Sequence, residues 1–238
     1  MRTPARFLCV VLTALAVPIA GCDRYPQDPR HTLAEALARD TLRIGVIAAA
    51  PWITGEPPGV PGGPEAALLR DLADSLGVAV DWQWGTEAEL LEALAHYELD
   101  VVAGGIVAST PWKAHVALTL PYYTSHTVVG IPAAASIPEG LAMPVAVRPA
   151  SGLRDALDDR GLEVQVREDL RGVDGPVAAE LWEVEGMGLR NAHVRLRTER
   201  HVMAVPPGEN AMLMRLEDAL LRVDPDAFAD HLWEAARP

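Results

Sequence analysis

Glu65, Asp174 and several of the seven histidines are the side chains in this 238-residue chain that could act as acids or bases. Catalysis with such groups needs a positioned partner, a nucleophile, a metal or a phosphate cradle. The histidines show no HExxH-like spacing, no nucleophile elbow is present, and no glycine loop has phosphate-binding spacing. The two cysteines are Cys9 and Cys22, and both fall at the extreme N-terminus. The body of the chain therefore has no thiol for a zinc site or a disulfide. A net charge of −13 argues against nucleic acid as a partner. The expectation is a protein that binds rather than catalyses, with no cofactor and no metal.

The N-terminus carries a different chemistry. Arg2 and Arg6 form a short basic region, Phe7 to Ala20 an apolar one, and Ile19-Ala20-Gly21-Cys22 a small-residue cleavage site. This is the layout of a secretory signal, too short for a stable membrane span. Its ending resembles the lipobox of bacterial lipoproteins, which implies lipidation of Cys22, export, and a lipid anchor on the membrane. The alternative is an ordinary signal peptide with a cysteine near its cut. Residues 23–40 then read as a polar tether followed by a short helix, with Thr32 to Glu35 in capping-box spacing.

The elements that must position any site alternate strand and helix. Leu42 to Ile47 alternates like a buried strand, and Pro64 opens a helix closed by Gly77. Val78 to Trp82 is a strand, Thr86 to His96 a helix and Asp100 to Ala103 a strand. Val128 to Pro132 reads as a strand leaving the first layer. A second set follows: strand 144–148, helix 151–159, strand 162–166, helix 177–187 and strand 193–197. A strand over 201–205 and helices over 209–221 and 224–236 complete the chain. This order predicts parallel α/β layers.

From Thr41 to Pro132 the motifs resemble family 3 extracellular solute-binding proteins. The carriers are Thr41-Leu42-Arg43-Ile44-Gly45-Val46, the Pro51-Trp52 loop, Gly63-Pro64-Glu65, Leu76-Gly77-Val78, Leu99-Asp100-Val101-Val102 and Thr119-Leu120-Pro121-Tyr122-Tyr123. The resemblance implies an α/β, two-lobe periplasmic-binding-protein-like (type 2) fold with an interlobe cleft. Residues 41–130 plus 201–238 would form lobe one, and 131–200 an abbreviated lobe two. It implies Trp52 as an aromatic that stacks on ligand, Glu65 as an acid at the first helix, and Gly105 in the segment after the third strand. The family's carboxylate-clamping arginine falls on Trp112, beside Lys113. In lobe two it implies an anion-binding turn with Arg148 and Ser151, and an amine-binding acid near Asp174. Trp112 removes the guanidinium fork and offers a ring face for a flat or cationic group instead.

The resulting expectation is a membrane-tethered receptor, acting as a monomer. It captures a small, amino-acid-like polar molecule for the permease of an ABC transporter. A sensor with a divergent cleft and a small-molecule lyase on the same fold are the alternatives.

Overall fold

Strand β1 (Thr41–Ile47) buries Leu42, Ile44 and Val46 completely, and around it the first of two sheets is assembled. The computed structural model describes residues 28–149 and 151–237, so the signal segment, Cys22 and the first tether residues lie outside it. Before β1 comes helix α1 (Thr32–Ala38). Its expected Thr32 cap is replaced by a distant one, because Thr32 N–H and Arg30 N–H both donate to the buried Glu209 carboxylate at 2.7 Å. A carboxylate at a helix N-terminus satisfies orphan amides and matches the dipole.

Helix α2 (Pro64–Leu76) starts on proline and ends on Gly77, whose φ of 71° puts it in the left-handed cap conformation. It buries Leu69 and Leu72, each worth about 2 kcal/mol of transfer free energy. Strands β2 (Ala79–Gly85) and β3 (Val101–Ala103) pair parallel with β1 on either side, linked by α3 (Glu87–Ala95). Thr86 and Glu89 form a reciprocal capping box for α3. A 3₁₀ turn (Pro111–Ala114) leads into β4 (Ala117–Leu118).

The chain then crosses. Strand β5 (Tyr123–Ile131) pairs antiparallel along its whole length with β9 (Arg190–His201) in the second sheet. The division expected at residue 130 therefore falls inside a lobe-two strand. The crossover is at Leu120–Tyr123, because Tyr123 is already in register with His201. The second sheet runs β7-β6-β8-β5-β9, with β6 at Val145–Val147, β7 at Val164–Val166 and β8 at Val177–Glu180. Helices α4 (Ile137–Leu141), α5 (Arg154–Asp158) and α6 (Leu181–Gly186) are short.

Residues 177–187, expected as one helix, split into β8 and α6. The Val-Ala-Ala-Glu segment reads as helical, but pairing with β5 and β6 claims it for the sheet, a tertiary override of weak propensity. The return passes through Val202, whose N–H donates to Ile106 O at 2.9 Å, to β10 (Ala204–Val205), which lies between β3 and β4 in the first sheet. Helices α7 (Asn210–Leu220) and α8 (Pro225–Ala235) finish the fold, and both pack on α2. Helix α8 also packs on α6 of the second lobe. No helix among the described residues is long and apolar enough to cross a membrane.

Candidate ligand-binding site

In parallel α/β sheets the loops after the carboxyl ends of the strands form the ligand crevice. In lobe one these loops are Trp52, after β1, and Gly104-Gly105, after β3. Glu65 lies beneath them with 0 % of its surface exposed. Gly105 N–H donates to its two oxygens at 3.2 and 3.1 Å, and the Tyr122 hydroxyl donates to Oε1. Burial pushes the Glu65 carboxyl up to about 7, against the lowering effect of the Tyr122 hydroxyl and the Gly105 amide. The expected ligand contact is thus a carboxyl enclosed in the core, where it braces the Gly104-Gly105 turn.

Trp52 is half-buried, and its ring already has a protein partner. The His201 imidazole stacks on it at 3.8 Å between centroids and 23° between planes. A Cβ at Gly105 would sit 2.9 Å from Trp52 Cδ1, so the turn also leans on the indole. Trp112 packs, half-buried, against the Leu90, Leu94 and Val116 cluster, with His115 edge-on to its ring. Lys113 beside it is exposed and makes no ion pair among the described residues. The structure does not bring Trp112 and Trp52 together as an aromatic pair.

Lobe two holds an open cavity of about 270 Å³ at the carboxyl ends of β6 and β8, with Thr127, Arg148, Ser151, Glu180, Glu183 and Arg197 among its walls. Arg148 and Ser151, expected from sequence, meet here. Arg148 is committed to Glu183 through two parallel bonds, Nη1 to Oε2 at 3.0 Å and Nη2 to Oε1 at 2.6 Å. Ser151 does not cap α5, whose N-cap is Leu153; instead its carbonyl accepts from Arg197 Nη2 at 2.8 Å.

Asp174 is exposed and precedes β8, at the end of the strand away from this cavity. The carboxylate at the cavity end is Glu180, which sequence reasoning passed over because residues 177–187 read as helix. The Thr127 hydroxyl donates to Glu180 Oε1 at 2.7 Å, while Oε2 is buried and has no hydrogen-bond partner. Burial raises the Glu180 pKa, opposed by the nearby Thr127 and Ser125 hydroxyls. The signal that could have found it is an acid directly after a short apolar run, the mark of a strand ending at a crevice.

The sequence matches the profile of the bacterial extracellular solute-binding proteins, family 3, over residues 42–233. The chain belongs to that family. No curated protein sequence matches it. Among solved structures, this solute-binding protein is similar to an ancestral cationic amino acid solute-binding protein, with a TM-score of 0.66, 21 % identity, and coverage of 85 % of this chain and 98 % of that one. The unliganded open L-cystine solute receptor of Neisseria gonorrhoeae gives 0.63 and 18 %, covering 85 % and 95 %. An ancestral cyclohexadienyl dehydratase gives 0.59 and 20 %, covering 85 % and 94 %. At these identities the likeness establishes the two-lobe fold. Family membership makes this an exported solute-binding protein with a small-molecule ligand.

Proposed function

We propose that this protein is a membrane-tethered receptor that holds a small polar solute in the lobe-two cavity, with Glu180 accepting the solute's cationic group, and delivers it to an ABC transporter permease. One observation carries the reading: Glu180, whose buried Oε2 has no hydrogen-bond partner, is among the residues lining an open cavity at the carboxyl ends of parallel strands. A buried acceptor left unmet costs about 1–3 kcal/mol, which a bound ammonium would recover. The neighbours whose names carry cationic amino acids and L-cystine support the same class of solute. Lipidation at Cys22 supplies the tether, and Cys22→Ala is expected to move the protein from the membrane to the soluble fraction.

A thermal-shift panel of amino acids, amines, organic acids and heterocycles, on protein expressed from residue 23, tests the reading. A solute at a hundredfold its Kd adds about 2.7 kcal/mol to stability, and Glu180→Gln should abolish the shift. A shift unchanged in Glu180→Gln would place the solute elsewhere.

A second reading, a lyase at the same cavity, draws on the raised Glu180 pKa, since a carboxyl that keeps its proton nearer neutrality suits a general acid. Turnover of a cyclohexadienyl acid by the wild type and not by Glu180→Gln would establish it. Absence of turnover alongside solute binding leaves the receptor.

A further inference from the structure

The lobe-two cavity contains two carboxylates and two guanidiniums, but they do not pair off symmetrically. Arg148 and Glu183 neutralise each other through their bidentate contact. Glu180 and Arg197 remain. They line the same cavity and, among the described residues, form no ion pair with each other. Arg197 touches one carboxylate only loosely, Glu199 at 3.9 Å, with both side chains about one-third exposed or more. Such a contact is worth little. Among the described residues its side-chain hydrogen bond is the one from Nη2 to Ser151 O, at 2.8 Å, which leaves the guanidinium without a hydrogen-bonded carboxylate.

The backbone explains how Arg197 arrives there. On a regular strand Arg195 and Arg197 would share a face. A register shift in the β5–β9 pairing places Thr127 opposite Arg197 and Val128 opposite Arg195. The two arginines accordingly serve different cavities, Arg197 with Thr127 and Arg195 with His126 and Val128. Re-aiming one side chain is what a bulge does.

We infer that Arg197 is the residue that reads the solute's carboxylate, so that Glu180 and Arg197 together select a zwitterion from within lobe two. This rests on the assignment of the cavity as the solute site. It accounts for a lobe-one segment that carries Trp112 and an exposed Lys113 in place of an arginine clamp. A guanidinium suits the task because its planar fork matches two carboxylate oxygens. Both charges sit on one lobe, so an amino acid is fully recognised before the lobes close, and lobe one adds cover rather than charge.

The test uses calorimetry with three matched probe sets: the L-amino acids, the amines lacking the carboxylate, and the acids lacking the amine. Wild type, Glu180→Gln, Arg197→Gln and Arg197→Lys are compared, each checked for an unchanged circular dichroism spectrum. For the best-bound amino acid, removing the carboxylate is expected to cost wild type about 10- to 100-fold in affinity. Arg197→Gln should bind that amino acid and its amine about equally, and Arg197→Lys should recover part of the preference through charge alone. If Arg197→Gln keeps the full preference while Glu180→Gln loses binding, the carboxylate is read elsewhere and this inference falls, with the cavity assignment intact. If no probe binds wild type, or Glu180→Gln binds as tightly as wild type, the cavity assignment falls and takes this inference with it.

Discussion

The indole of Trp52 lies against the imidazole of His201, a lobe-one loop residue stacked on the last residue of the strand that returns from lobe two. Tyr123, on the outgoing crossover, meets the same indole edge-on at 5.7 Å, and Phe228 of α8 closes the group at 5.9 Å. The aromatic after β1 is thus built into the junction between the lobes. Trp52→Ala is expected to destabilise the protein by about 2–3 kcal/mol, combining a lost aromatic pair with a partly filled void. Urea unfolding measures this; unchanged stability with weakened solute binding would instead make Trp52 a ligand platform.

Two buried groups beside this junction titrate in opposite directions. The Glu65 carboxyl is raised to about 7, so its contribution is fully present below about 4.5 and is lost as pH rises through 7. The His201 imidazole, 3 % exposed, is driven down to about 4 by burial. Its contribution is present above about 6.5 and is lost as pH falls through 4. Each slope is about 1.4 kcal/mol per pH unit within its window, and between roughly pH 4.5 and 6.5 they oppose each other. Glu65→Gln removes one arm. The variant should lose stability relative to wild type as pH falls from 7 to 4.5, and parallel stability–pH curves for the two proteins would refute the account.

Gly104 has a φ of 137°, and a Cβ there would lie 2.5 Å from Ile47 Cβ and 2.8 Å from Ile47 O. Both conformation and space exclude a side chain. Gly104→Ala should cost about 2–4 kcal/mol, whereas Gly77→Ala, with left-handed φ but open space, should cost only about 1 kcal/mol. Equal melting temperatures for the two variants would mean that the turn relaxes freely.

Trp233 of α8 holds the second lobe. A Cβ at Gly186 of α6 would fall 2.2 Å from the indole, the Arg171 guanidinium lies 5.6 Å from its centroid, and Arg171 also donates to Ala236 O. Trp182 of α6 is meanwhile buried in the lobe-one core cluster. Trp233→Ala should lower stability by about 2–3 kcal/mol and widen the distribution of interlobe angles. Small-angle scattering reads the second effect, and an unchanged profile would show that α8 does not restrain the lobes.

Much of the fold was legible because period and punctuation are local. The alternation of Leu42, Ile44 and Val46, the Pro64 start and Gly77 stop, and the Thr86–Glu89 box are each decided within a few residues. What misled were segments whose state depends on distant partners. Val177 to Glu180 has no strong preference of its own and becomes strand through its neighbours β5 and β6. Thr32 has capping-box spacing, but Glu209, 177 positions away, supplies the carboxylate.

For the site, sequence alone determined that Arg148 and Ser151 follow a strand and precede a helix, and therefore stand at a crevice edge. It also determined that the position beside Lys113 carries a ring and no fork. Only the tertiary structure decided that Glu65 is enclosed, because its burial comes from Tyr122 and Gly105 brought in from other elements. Likewise the choice of Glu180 over Asp174 turns on which end of β8 faces the cavity. The placing of Arg197 turns on a register shift that alternation cannot reveal, because it arises from pairing between strands about 70 residues apart in sequence.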